Sequence, residues 1–144
     1  NNCFTHRDFH AANIMISKKG FGLIDSQDAI IGNPLYDVAS LIDDVRIKIP
    51  QKIQEELFQY YSKRSKFRKV NLKNDFDILS VQRNLKILGI FVRLHARDKK
   101  SNYLKFLPYT WKLIEMRLKN PIFYNLKILI DKLIPKKKRK RKKF

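Results

Sequence analysis

The sequence is poor in cysteine, glycine, proline and acid: of 144 residues, one is cysteine, four are glycine and five proline, and 13 Asp and Glu face 32 Lys and Arg. A single cysteine, Cys3, excludes a disulfide framework and any cysteine-based zinc finger, and it fits a reducing, cytoplasmic compartment. Cys3 itself is expected to be a small buried apolar residue. No uninterrupted apolar run approaches the roughly 20 residues a spanning helix needs, and the first residues lack a signal-peptide pattern. A soluble protein with no transmembrane segment is therefore expected. There are no internal repeats.

What is present is a core. Hydrophobic residues make up 44% of the chain and aromatics 12%, enough for one folded domain and too much for a disordered one. The net charge is +19, and "KKKRKRKK", Lys136 to Lys143, supplies eight of it, leaving +11 on the rest. Like charges in a row repel, so residues 135–144 are expected to be a disordered basic tail on a domain spanning 1–134, with a salt-dependent, nonspecific contact to polyanions. The same run has the look of a nuclear-import signal, weighed here against a plain solvated tail. The first residue is asparagine and the opening motif follows within five residues, so a piece of a longer chain is expected.

Short apolar runs at Phe4, Ile14 to Ile16 and Phe21 to Ile24, the last two separated by "SKKG", predict a small β-hairpin. After Pro34, apolar residues from Leu35 to Val45 recur at helical spacing. Pro50 then suits a first helical turn, with an apolar stripe down to about Lys66. "KFRKVNLKND" is expected to be a loop. The longest periodic segment starts near Asp75 and places Phe76, Leu79, Leu85, Leu88, Phe91, Val92 and His95 on a core helix, with Gly89 as a close-packing point. Ser101 to Leu107 and Tyr109 to Leu118 predict a helix pair, and Asn120 with Pro121 open a last helix through Leu133. The fold class is α+β, mainly α: one short β segment bearing a polar motif, then about five helices.

That motif is "THRDFHAANIM". His6, Asp8 and His10 alternate, and in an extended strand they would share a face on which H-x-D-x-H binds a metal. The only other histidine, His95, falls on the apolar helix face and is expected to be a satisfied core or boundary residue, so further ligands are lacking. A second arrangement begins with spacing: Asn13 follows Asp8 by five residues, and Asp25, ending the apolar strand "FGLID", follows Asn13 by twelve. Phosphoryl transfer needs one carboxylate to orient the attacking hydroxyl and take its proton, and a carboxylate and an amide oxygen to hold Mg²⁺ against the nucleotide phosphates. Hard oxygen ligands suit Mg²⁺. Asp8 is then the base, and Asn13 and Asp25 are the metal and cofactor ligands, brought together by the hairpin between them. His6 is expected to pack and hydrogen-bond behind the loop. His10 either braces the loop or touches substrate, and Asp28 is either a partner behind Asp25 or a turn residue.

"HRDFHAAN" followed by "LID" resembles the catalytic loop and metal-binding aspartate of the aminoglycoside phosphotransferase-like kinases, relatives of the protein kinases. Histidine between the aspartate and asparagine is also usual in that family. "IDSQDAIIGNPLYDVASLIDD" and "VQRNLKILGIFVRLHARDKKSNYL" narrow the resemblance to kinases that phosphorylate the anomeric hydroxyl of N-acetylmuramate and N-acetylglucosamine, over about Phe4 to Pro108. The resemblance implies a protein kinase-like C-terminal lobe, ATP and Mg²⁺ as cofactors, an amino-sugar substrate and a place in cell-wall recycling. It implies that Asp37, in "YDVAS", helps fix the loop; by itself such a residue is a carboxylate at a helix N-terminus. Arg7 is expected to make a structural or substrate-anion contact, since the ten residues between Asp25 and Tyr36 leave no room for an activation loop.

Two departures stand out. Ser26 follows Asp25 where relatives commonly carry an aromatic. The resemblance implies a nucleotide-binding N-terminal lobe, which is expected to be absent from these residues, since neither a glycine-rich loop nor a strand lysine stands before the motif; "GFG" at Gly20 to Gly22 lies in the hairpin and opens no phosphate-facing helix. The expectation is a phosphotransferase C-terminal lobe, inactive by itself because positioning is nearly all of phosphoryl-transfer catalysis. The alternative is a basic helical module that binds nucleic acid or an anionic surface through its tail and "KRSKFRK", Lys63 to Lys69. Its aromatics, however, fall at helical core spacing and are not interleaved with the basic residues.

Overall fold

The computed structural model describes residues 2–66 and 71–139. The chain forms two compact units, Asn1–Leu79 and Ser80–Phe144.

In the first unit the expected hairpin is β2 (Ile14–Ser17) against β3 (Gly20–Leu23), with Ser17 opposite Gly20 across a two-residue turn. Gly20 has φ +117°, a conformation that a side chain would strain. A second antiparallel pair, not expected from the sequence, joins β1 (Cys3–Thr5) to β4 (Ile30–Gly32), with Phe4 opposite Ile31. Both sheets carry exposed apolar pairs: Ile16 and Phe21, opposite each other, are each 80% exposed, and Phe4 and Ile31 are also exposed.

Two helices follow, α1 (Leu35–Ile42) and α2 (Gln51–Arg64). The first is started by Asn33, whose Oδ1 accepts the Leu35 N–H at 3.0 Å. Spacing of three and four residues puts Leu35, Ala39 and Ile42 on one face of α1, where they form a core with Leu72 and Phe76.

 Phe58 stacks on that core from α2, its ring 4.8 Å from that of Phe76, and Val38, Tyr61 and Leu79 close the edges. Each fully buried Leu, Ile or Phe contributes roughly 1.5–3 kcal/mol. The end of α1 is tied to α2 by Gln54, a buried amide whose Nε2 donates to the Ile42 carbonyl at 3.1 Å and to Asp43 Oδ1 at 3.2 Å.

The long helix α3 (Leu72–Ala96) contributes residues to both units. It starts earlier than the sequence predicts, so the expected loop "KFRKVNLKND" is shorter than expected; its residues 67–70 lie outside the described residues. Phe76, Leu88 and Phe91 are buried as expected, but Val92 is exposed, and a Cβ on Gly89 would meet nothing within 4 Å. Gly89 is thus no close-packing point. His95 lies at the boundary, with Nδ1 3.0 Å from Ser101 Oγ. Unexpectedly, α3 also buries Asp77, Ser80, Arg83 and Asn84.

In the second unit a 3₁₀ segment (Ser101–Phe106) leads into α4 (Leu107–Arg117), and Phe91 packs against Tyr103 and Phe106 at centroid distances of 5.4 and 5.8 Å. Asn120 Oδ1 accepts the Ile122 N–H at 3.2 Å, and a 3₁₀ turn (Pro121–Phe123) opens α5 (Tyr124–Leu133). No helix among the described residues is long and apolar enough to cross a membrane.

The basic run departs from its expected course. Lys136–Arg139 form one helical turn, α6, and Arg139 is only 3% exposed. Its guanidinium donates to Glu115 Oε1 at 2.9 Å and Asp131 Oδ1 at 2.6 Å, its Nε donates to the Ile134 carbonyl at 2.7 Å, and it lies 5.1 Å from the Trp111 ring centroid. Two carboxylates and an aromatic face outweigh the repulsion among neighbouring lysines, so the first four residues of the run are structured. Residues 140–144 lie outside the described residues.

The hydrogen bond from Arg139 holds the Asp131 carboxyl below its ordinary range, opposed by desolvation and aided by the charges of Arg139, Lys136 and Lys127. A depressed carboxylate stabilises the fold above its unfolded pKa, about 3.9, and that stabilisation is lost as pH falls through the folded value. Arg139→Ala should lower the melting temperature by roughly 3–8 °C at pH 7. The difference from the parent chain should shrink below about pH 4, which thermal melts at the two pH values would measure.

Candidate active site

The site is built on a backbone clamp. Asp37, in the first turn of α1, accepts the His6 N–H on Oδ2 at 2.6 Å and the Arg7 N–H on Oδ1 at 2.9 Å. Arg7 has φ 68°, a left-handed conformation that a non-glycine residue keeps only when its surroundings impose it. Hydrogen bonds to a charged acceptor contribute about 1.5–3 kcal/mol each, enough to offset that strain. The Arg7 guanidinium meanwhile donates to the Asp28 carbonyl at 3.3 Å, across a turn in which Ala29 N donates to Ser26 O at 3.0 Å. Asp28 is therefore tied into the site by its backbone.

Beyond the clamp the chain turns tightly. His10 N donates to the Asp8 carbonyl at 3.0 Å, Asn13 N donates to the His10 carbonyl at 2.9 Å, and Ala11–Asn13 form a 3₁₀ turn. Asn13 is buried, and its Nδ2 donates to the Asp8 carbonyl at 3.0 Å and, in a longer bond of 3.4 Å, to Asp8 Oδ2. His10 Nε2 lies 3.3 Å from the same Oδ2. The Asp8 side chain remains 44% exposed.

The hairpin supplies the third residue. Ile24 N donates to the Asn13 carbonyl at 3.1 Å, one step beyond the Ile14 and Leu23 pair, so the residue before Asp25 is bonded to Asn13 itself. Asp25 is exposed and, like Arg7, has φ 68°. With its NH₂ end committed to Asp8, Asn13 offers only its amide oxygen to a ligand, and Asp25 offers a carboxylate. This donor set fits Mg²⁺, which takes few protein ligands and keeps positions for water and phosphate oxygens.

The two histidines of H-x-D-x-H do not act together. The His6 ring is 2% exposed, sits edge-on to Phe9 at 6.4 Å, and has no hydrogen-bond partner on either nitrogen among the described residues. The hydrogen bond expected of its side chain is made by its backbone instead, from His6 N–H to Asp37. Among the described residues no group of three or more His, Cys, Asp or Glu is placed to hold a metal ion. Asp43 and Asp44, both buried at the end of α1, drew no notice in the sequence; Asp44 Oδ1 accepts the Arg46 N–H at 2.9 Å. Two acids after an apolar helix, with Gln54 one helix later, were the available signal.

Residues 1–71 match the phosphotransferase enzyme family. The chain is 30% identical to the N-acetylmuramate/N-acetylglucosamine kinase of Caulobacter vibrioides, with 92% of this chain and 38% of that protein aligned. It is 34% identical to the protein of the same name from Pseudomonas aeruginosa, over 78% of this chain and 35% of the relative. The corresponding protein of Neisseria meningitidis serogroup B is 33% identical over 73% and 34%. The chain thus spans about a third of the length of the curated relatives it matches.

Removing the clamp should loosen the loop it holds. Asp37→Ala should destabilise the chain by about 2–4 kcal/mol in urea titrations, and Asp37→Asn, which keeps one acceptor oxygen, by less. Amide hydrogen exchange at His6 and Arg7 should accelerate in the same order.

Proposed function

We propose that the chain, whose residues 1–71 match the phosphotransferase enzyme family, is the C-terminal lobe of a kinase that transfers a phosphoryl group from ATP to an amino-sugar hydroxyl. The observation that supports this is the Asn13 amide, whose Nδ2 donates to the Asp8 carbonyl at 3.0 Å and to Asp8 Oδ2 at 3.4 Å and so keeps the two side chains together. Asp8 takes the proton of the acceptor hydroxyl as its oxygen bonds to phosphorus and the bond to the departing nucleotide breaks. Asn13 and Asp25 are the residues that hold Mg²⁺, which when bound offsets charge on the phosphates. Asp37, Arg7 and Asp28 keep the loop in shape, and His6 packs behind it.

The names of the relatives support N-acetylmuramate or N-acetylglucosamine as acceptor; the anomeric hydroxyl as the attacking group and cell-wall recycling in the cytoplasm as the setting are further parts of the proposal. Their greater length, and the exposed apolar pairs on both sheets, support a further nucleotide-binding lobe packed over this one.

In the full-length protein with Mg²⁺ and ATP, amino-sugar phosphate should form. Asp8→Asn should lower kcat by about 10²–10⁴-fold without altering the melting temperature appreciably. Removal of Mg²⁺ by chelation should stop turnover. Unchanged turnover in Asp8→Asn would take away the base and the proposal with it.

A further inference from the structure

We infer that His10 is a positioning residue for Asp8: its Nε2 holds carboxylate oxygen Oδ2 and thereby presents Oδ1 to the acceptor hydroxyl. The inference rests on the phosphotransfer reading of the site. His10 is 4% exposed, and the Asp8 carboxylate, 3.3 Å from Nε2, is the polar group its ring reaches. The other ring nitrogen, Nδ1, is buried without a hydrogen-bond partner among the described residues. The polar work of the ring therefore falls on Nε2.

Direction follows from where the donors land. His10 Nε2 and Asn13 Nδ2 both approach Oδ2, at 3.3 and 3.4 Å, and no hydrogen bond to Oδ1 occurs among the described residues. A carboxylate fixed through one oxygen has its rotation about the Cβ–Cγ bond restricted, which leaves the other oxygen oriented and open. His10 itself is held by its backbone, through N to the Asp8 carbonyl and O to the Asn13 amide. Asp8 is thus approached on one oxygen by a ring whose own backbone is fixed in the same turn. Contacts of this length are usual in a free enzyme and tighten in the reacting complex.

In the full-length protein, His10→Leu should lower kcat by about 10-fold or more while KM for ATP and for the sugar stays within about 3-fold. His10→Gln, whose amide nitrogen can replace Nε2 as donor, should recover most of that loss at unchanged melting temperature. A kcat within about 2-fold of the parent in His10→Leu, a loss confined to KM, or no recovery in a folded His10→Gln would overturn the inference. A second measurement needs no activity: long-range ¹H–¹⁵N spectra of the 144-residue chain should show His10 as the Nε2–H tautomer, and Asp8→Ala should convert it to a mixture. A ring spectrum indifferent to Asp8→Ala would overturn the contact. A responsive ring in a protein that phosphorylates no sugar would support the contact and remove the phosphotransfer reading instead.

Discussion

The geometry of the site depends on one carboxylate. Asp37 receives the N–H groups of His6 and Arg7 on its two oxygens, and these bonds hold Arg7 in a left-handed conformation that its side chain disfavours. The chain then reverses, so that Asp8 faces Asn13 instead of continuing along β1. Because Asp37 stands in the first turn of α1, the clamp is anchored in the core of Leu35, Ala39, Ile42, Leu72 and Phe76. The partial positive charge of that helix end also favours the ionised acceptor. Packing, helix polarity and loop conformation thus converge on one residue, and the hairpin then needs only the bond from Ile24 to Asn13 to bring the Asp25 segment alongside.

Local patterns carried most of the secondary structure. The hairpin was legible in "SKKG" between two apolar runs, and α1 in the spacing of Leu35, Ala39 and Ile42. The pairing of β1 with β4 was not, because strands of three residues separated by 24 others leave no periodic signal. Helical periodicity also identifies an apolar face without saying whether anything covers it. Val92 and Gly89 were therefore assigned contacts that they do not make. The buried polar residues of α3 escaped for the opposite reason, since burial is expected of apolar side chains and their hydrogen-bond partners are a tertiary property.

The candidate site was legible in its membership more than in its geometry. The spacing of Asp8, Asn13 and Asp25 was visible, and the chemistry of hard oxygen donors gave it meaning. Which nitrogen turns toward which oxygen was not: the orientation of the Asn13 amide, the contact of His10 with Asp8 and the silence of the His6 ring all follow from a turn whose shape is fixed 30 residues away by Asp37. The sequence allows Arg7 a structural or a substrate-anion contact, and its guanidinium makes a structural one, to the Asp28 backbone carbonyl.

The burial of Arg139 among Glu115, Asp131 and Trp111 changes what a truncation can report. Cutting the chain at Pro135 discards a structural side chain together with the surplus of positive charge, so any lost affinity for DNA or lipid would mix unfolding with electrostatics. Neutralising the lysines around an intact Arg139 separates the two, because the clasp survives while the field of the segment collapses.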